Sequence, residues 1–237
     1  MDNPALRILL IRPEENNISR IAGRWLSDWE ASIGTDTNKQ ITLLNVATSE
    51  NLNRLLSEFP LPDIIAFYGH GTRCRLFIME TVQGTGQDCR RDECAFCELS
   101  GTRIKDSLID IDTQMAPFFG RVIYAVACYS STILGQRLIS TAPKGTAYFG
   151  YSDELCLAPE ILGNEIIQEM GTVVNTGLSI LIGDTDGPRF EKVHQNVKNG
   201  WFDLHRRIKQ RAVNDPLTTM RAVIIKLWGL AFQPKWV

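Results

Sequence analysis

Two stretches of this sequence place a reactive side chain immediately after an apolar run. Ile64-Ile65-Ala66-Phe67-Tyr68 ends in Gly69-His70-Gly71, and Val122-Ile123-Tyr124-Ala125-Val126-Ala127 ends in Cys128-Tyr129-Ser130-Ser131. A cysteine attacks a carbonyl as its thiolate, so it needs a depressed pKa or a nearby proton acceptor. Histidine titrates near neutrality and can take that proton and later return it. A helix expected from about Ser130 would add unpaired amides and a positive dipole end beside Cys128. Gly71 has no side chain, so the amides of Gly71 and Cys128 are candidates to hold the oxyanion of a tetrahedral intermediate.

These residues need a scaffold that brings two strand ends together. Short apolar runs without alternation suit strands buried on both faces of a parallel sheet, and such sheets gather chemistry beyond their carboxyl ends. The opening of the chain agrees with this. Leu6 to Ile11, Ile41 to Val46 and Ile64 to Tyr68 are expected strands. Between them Ile18, Ile21, Ala22, Trp25, Leu26 and Trp29, then Leu52, Leu55, Leu56 and Phe59, recur at helical spacing. The alternation breaks after Thr72. Arg75 to Val82 suits an extended pair, 83–101 is a polar insertion, and Leu108 to Ile111 suits a short strand.

Regular alternation then resumes. A helix carries Ile133, Leu134 and Leu138, Ala147 to Tyr151 is a strand, and Glu160 to Met170 is a helix. Phe190, Val193, Val197, Trp201, Leu204 and Ile208 mark a long helix that Gly200 is placed to bend. A last helix starts at Asp215-Pro216, with Leu217, Met220, Ile224, Leu227 and Trp228 as its expected apolar face. With no repeat and no linker, residues 1–237 are expected to form one α/β domain, with the irregular insertion at about 72–101 and C-terminal helices at about 188–231.

The totals narrow the function. The chain has 237 residues, 44% hydrophobic and 22% charged, with a net charge of -2, which argues against a nucleic-acid binder that works through phosphate contacts. No apolar run approaches the ~20 residues of a bilayer span, and Met1 to Pro13 lacks the pattern of a secretory signal. A cytoplasmic location without membrane partners is the expectation. There the six cysteines serve as thiols, metal ligands or catalysts rather than disulfides.

Tyr68-Gly69-His70-Gly71, Ala127-Cys128-Tyr129-Ser130 and Gly145-Thr146-Ala147-Tyr148-Phe149-Gly150-Tyr151-Ser152, in this order and strand context, resemble the caspase-like cysteine peptidases. That clan holds caspases, metacaspases, clostripain-like and gingipain-like enzymes and bacterial CHAT proteases. The resemblance spans roughly 6–154. It implies a three-layer sandwich, with a mostly parallel sheet and helices on both faces. It also implies a catalytic dyad of His70 and Cys128 with Gly71 in the oxyanion hole, no cofactor for catalysis, and a protein substrate. A regulated, defence-linked proteolytic cascade with an activating protease or regulator follows by the same analogy.

The Gln-Ala-Cys-x-Gly signature of caspases themselves is absent, which argues against cleavage after aspartate. In the clan the loop after the next strand lines the specificity pocket, here Tyr151-Ser152-Asp153-Glu154. A carboxylate there would select a basic residue, arginine most strongly, and Asp153 is favoured over Glu154. Solvated loop acids, or a cap for the following helix, are the competing reading.

Cys74, Cys89, Cys94 and Cys97 offer four thiols in the irregular segment, a set suited to a structural zinc. Reduced, unliganded cysteines are the simpler expectation. Arg90-Arg91 is a candidate activation-cleavage site in the same insertion, and a charged solvated loop is the alternative. Gln83-Gly84-Thr85-Gly86 has no helix after it, which disfavours a phosphate cradle. His194 is expected in a helix core and His205 on a helix surface. Two other functional classes stand beside the protease: a catalytically inactive caspase-like interaction module, and a doubly wound nucleotide-binding protein. The second is disfavoured because no strand runs through a glycine-rich turn into a helix.

Overall fold

The apolar runs become the central strands of one sheet because both of their faces are covered. A computed structural model describes residues 6–13, 17–33, 39–44, 49–58, 62–71, 73, 75–81, 102–110, 115–183, 189–211 and 215–237. Its elements are β1 (Leu6–Ile11), α1 (Asn17–Ser32), β2 (Lys39–Leu44), α2 (Ser49–Glu58), β3 (Ile64–Tyr68), β4 (His70–Gly71), β5 (Arg75–Thr81) and β6 (Thr102–Asp110). They continue with β7 (Val122–Val126), α3 (Ile133–Thr141), β8 (Ala147–Phe149), α4 (Pro159–Leu162), α5 (Asn164–Gly183), α6 (Arg189–Arg211), α7 (Pro216–Ala231) and β9 (Lys235–Trp236).

The main sheet has the order β2-β1-β3-β7-β8-β9. Its first five strands are parallel and β9 closes the edge antiparallel to β8. Side chains alternate across it. Ile8, Leu10, Ile64, Ala66, Tyr68, Val122, Tyr124 and Phe149 point into one core, shared with α1, α5, α6 and α7. Leu9, Ile11, Ile65, Phe67, Ile123, Ala125 and Tyr148 point into the other, shared with Leu52 of α2 and with Leu134 and Leu138 of α3. The protein is therefore mixed α/β, with a mostly parallel sheet between two helical layers.

A second, antiparallel sheet of order β4-β5-β6 leaves the main one at His70. Here the expected extended pair within 75–82 is corrected. β5 pairs with the distant β6, whose nine residues include the short strand expected at Leu108. Local patterning could not reveal a partner separated by the whole insertion.

Two further expectations change. The helix expected to stop at Met170 is split at Gly163 and then continues as α5 to Gly183, because Val173, Val174, Leu178, Leu181 and Ile182 are buried along it. Among the described residues α5 is the one helix long and apolar enough to cross a membrane, and much of it is core, packed beside α1 and α6. Gly200 brings α6 close to α5: a Cβ there would stand 3.1 Å from Val173 Cγ1.

The second change concerns the last helix. Asp215 caps it, accepting the Leu217 and Thr218 amides at 3.1 Å each. Its buried face is Thr218, Ala222, Ile224, Ile225 and Trp228, whereas the expected core residues Leu217, Met220 and Leu227 are exposed. A helix apolar on most sides does not declare which side the fold will cover.

Candidate active site

The parallel pairing of β3 with β7 fixes where the two reactive residues emerge. Tyr68 lies opposite Val126, and the Gly69 amide donates to the Val126 carbonyl at 3.1 Å. His70 and Cys128 each follow that rung by two residues. Gly71 then turns against the cysteine. A Cβ on it would stand 2.8 Å from the Cys128 carbonyl oxygen and 2.9 Å from the Ala127 Cβ. The missing side chain thus makes room for the main chain of the other turn. The histidine strand is held from behind, since the buried Tyr68 hydroxyl donates to Asn175 Oδ1 (3.0 Å) and the Asn175 amide donates to the Trp25 carbonyl (2.7 Å).

The turn after Cys128 is constrained. Tyr129 has φ 53°, a left-handed conformation that is costly for a bulky residue and is found where the surroundings over-determine the backbone. Its amide donates to the Asp153 carbonyl at 3.0 Å, and the Arg73 guanidinium lies over its ring at 5.6 Å. Ser131 donates to the Tyr151 carbonyl at 2.9 Å, and Leu134 to the Arg73 carbonyl at 2.7 Å. The 151–155 segment and the loop after His70 therefore both close on the cysteine turn.

The expected helix-end effect at Cys128 is corrected. α3 begins at Ile133, and the amides of Ser131, Thr132, Leu134 and Gly135 bond to backbone carbonyls. The sulfur is instead served by the 151–155 segment, where the Leu155 amide donates to Cys128 Sγ at 3.3 Å. That donor favours the thiolate, as does the residue's own amide. Burial outweighs both, and with the charges of Glu154 and Asp153 it holds the thiol up to about 11. His70 is 8% exposed, and burial lowers its pKa to about 4. At neutral pH the resting pair is an uncharged imidazole and an uncharged thiol.

Asp153 and Glu154 are exposed beside this turn, and Asp153 Oδ1 accepts the Glu154 amide at 2.8 Å. Cys74, Cys89, Cys94 and Cys97, together with Arg90-Arg91 and 83–86, lie outside the described residues. Among the described residues no cluster of three or more His, Cys, Asp or Glu could hold a metal.

Cys156, which sequence reading passed over, is exposed one residue beyond Leu155, and its thiol is raised by burial and by Glu154 and Glu160. Its signal was its place in the segment that follows Tyr151. His194 is half-buried near the rings of Phe232 and Trp236, and burial lowers its pKa. His205 is not simply surface, since its Nδ1 lies 2.8 Å from the Ala222 carbonyl. No protein-family model matches the chain, and neither a curated protein nor a solved structure matches it.

Proposed function

We propose that this chain is a caspase-like cysteine endopeptidase using Cys128 as nucleophile and His70 as proton shuttle. The observation that carries the reading is the shared rung: both residues follow the Tyr68–Val126 pair by two positions, and Gly71 packs on the Cys128 carbonyl. In this mechanism neutral His70 takes the thiol proton as Cys128 Sγ bonds to the peptide carbonyl carbon. The oxyanion is met by the amides of Gly71 and Cys128. Protonated His70 then gives its proton to the departing amine, and water hydrolyses the thioester.

The resting protonation states suit general-base attack rather than a preformed ion pair. A thiol at about 11 leaves about one part in 10⁴ ionised at pH 7, so the substrate must help. A basic residue before the scissile bond supplies that help. Its charge would neutralise Asp153 and Glu154, two of the groups that hold the Cys128 thiol up. The same carboxylates would thereby select arginine and give up their own part of the rise in the thiol's pKa, while burial, the larger cause, stays. Catalysis on this route needs no cofactor. The substrate is protein, and cellular regulation by an activating protease or partner fits the clan that the sequence resembles.

The uncharged resting pair also favours a second reading, a catalytically inactive interaction module of the same fold. A panel of fluorogenic peptides differing in the residue before the cut, run on wild type and Cys128→Ala, separates the two. Hydrolysis after arginine that disappears in Cys128→Ala, and whose arginine preference disappears in Asp153→Ala, supports the protease. Absence of cleavage, together with failure of an arginyl chloromethyl ketone to label Cys128 at neutral pH, supports the module.

A further inference from the structure

Opposite charges flank the cysteine turn without pairing with each other. Arg73 is exposed, three residues beyond His70, and its guanidinium lies over the Tyr129 ring at 5.6 Å. Among the described residues no carboxylate pairs with it, whereas Arg206, Arg207 and Arg211 of α6 are engaged by Asp203, Glu169 and Glu165. Asp153 and Glu154 are exposed on the other segment that closes on the turn, and no described cation pairs with either. Burial raises the Tyr129 phenol, Glu154 and Asp153 raise it further, and Arg73 pulls it down. The ring therefore stands within the field of both signs.

The backbone of Arg73 is anchored. Its carbonyl accepts the Leu134 amide at 2.7 Å, which ties the loop after β4 to the start of α3. A guanidinium held over a ring still has the N–H donors in its own plane to offer a carboxylate. Tyr129 is fixed as well, with φ 53° and its amide on the Asp153 carbonyl. The chemistry of the dyad says which side of a bound peptide this guanidinium meets. His70 must deliver its proton to the departing amine, so the histidine arm borders the residues after the cut. Arg73 continues that arm beyond Gly71, whereas Asp153 and Glu154 belong to the segment that reaches the sulfur through the Leu155 amide.

We propose that Arg73 is a specificity residue of the same site, pairing with a Glu or Asp side chain at the first or second position after the scissile bond. The preferred protein substrate then carries arginine before the cut and an acid just after it. An endopeptidase meets an internal stretch of chain, so the carboxylate is a side chain rather than a chain terminus. The two poles also orient the peptide, because a reversed chain would set its arginine on Arg73 and its acid on Asp153 and Glu154. This proposal rests on the protease reading and narrows its substrate.

The test uses the full chain and internally quenched, C-terminally amidated peptides with arginine before the cut. Glu, Gln or Lys is placed at the first or the second position after it. At one of these positions kcat/KM should favour Glu over Gln about fivefold and over Lys about twentyfold, and both ratios should shrink as salt rises from about 0.05 to about 0.5 M. Arg73→Gln should bring the Glu-to-Gln ratio to about one, and Arg73→Lys should keep part of it. Arg73→Glu should reverse the order and favour Lys. Each ratio is taken within one variant, so a general loss of activity or stability does not enter it. Cleavage after arginine at equal rates for Glu, Gln and Lys at both positions overturns this proposal and leaves the protease reading standing. So does a Glu preference that survives unchanged in Arg73→Glu. Wild-type protein that cleaves none of the peptides overturns the protease reading, and this proposal with it.

Discussion

Gly71 and Cys128 are locked together through an absent side chain. The space that a Cβ on Gly71 would occupy lies 2.8 Å from the Cys128 carbonyl oxygen and 2.9 Å from the Ala127 Cβ, and both neighbours belong to the backbone or its first carbon. Neither can rotate away. Gly71→Ala should therefore separate the two turns, costing about 1–3 kcal/mol of stability and abolishing peptide hydrolysis. Urea unfolding and the fluorogenic assay check both; a variant that melts and turns over like the parent would show that the turns are not tightly coupled.

His70 makes stability depend on pH in a defined direction. Its folded pKa of about 4 lies below the unfolded value of about 6.5, so the unfolded chain binds this proton more tightly. The stabilisation is fully present above about 6.5 and is lost as pH falls toward 4, amounting to about 3 kcal/mol by the end of that window. Unfolding measured across it should steepen for wild type and flatten for His70→Gln. Parallel curves for the two proteins would refute a buried neutral imidazole.

Cys128 titrates at the opposite extreme. With substrate absent, its alkylation by iodoacetamide, followed by peptide mapping in a Cys156→Ser background, should rise about tenfold per pH unit toward about 11. Replacing Asp153 and Glu154 by Asn and Gln should move that midpoint down, since both charges hold the thiol up. Unchanged titration in the double variant would remove these carboxylates from the electrostatics of the site.

Two neighbouring residues on α7 should respond very differently to truncation. Trp228 is 3% exposed and its ring lies against Trp201 at 5.0 Å, so Trp228→Ala should cost about 3–5 kcal/mol. Leu227 is 50% exposed, so Leu227→Ala should stay within about 0.5 kcal/mol. Denaturant midpoints decide this, and comparable losses would mean that Leu227 is covered within the chain.

The sequence was most informative where one segment contained its own signal. Trp25, Leu26 and Trp29 in α1, and Val193, Val197, Trp201 and Leu204 in α6, announce their helices because apolar spacing at 3–4 residues is a local property. It misplaced the exposed Leu217, Met220 and Leu227, because α7 is apolar on both sides and the distant segments packed on it, α6, the 150–156 segment and Trp25 of α1 among them, decide which side is covered. It also missed the donor to the cysteine sulfur. Leu155 is an ordinary residue whose amide matters only after the 151–155 segment has folded against the turn at Tyr129.

What the chain dictated alone was the alternation of strands and helices outside 72–120 and the placement of His70 and Cys128 just beyond two of those strands, since backbone propensity and burial pattern are written residue by residue. The tertiary structure decided that β3 and β7 are neighbours in register, that burial leaves the imidazole and the thiol uncharged, and that one ridge of α7 stays bare. Each of these depends on which distant segment shares a surface. Desolvation and pairing are properties of that shared surface, and a residue's type does not carry them.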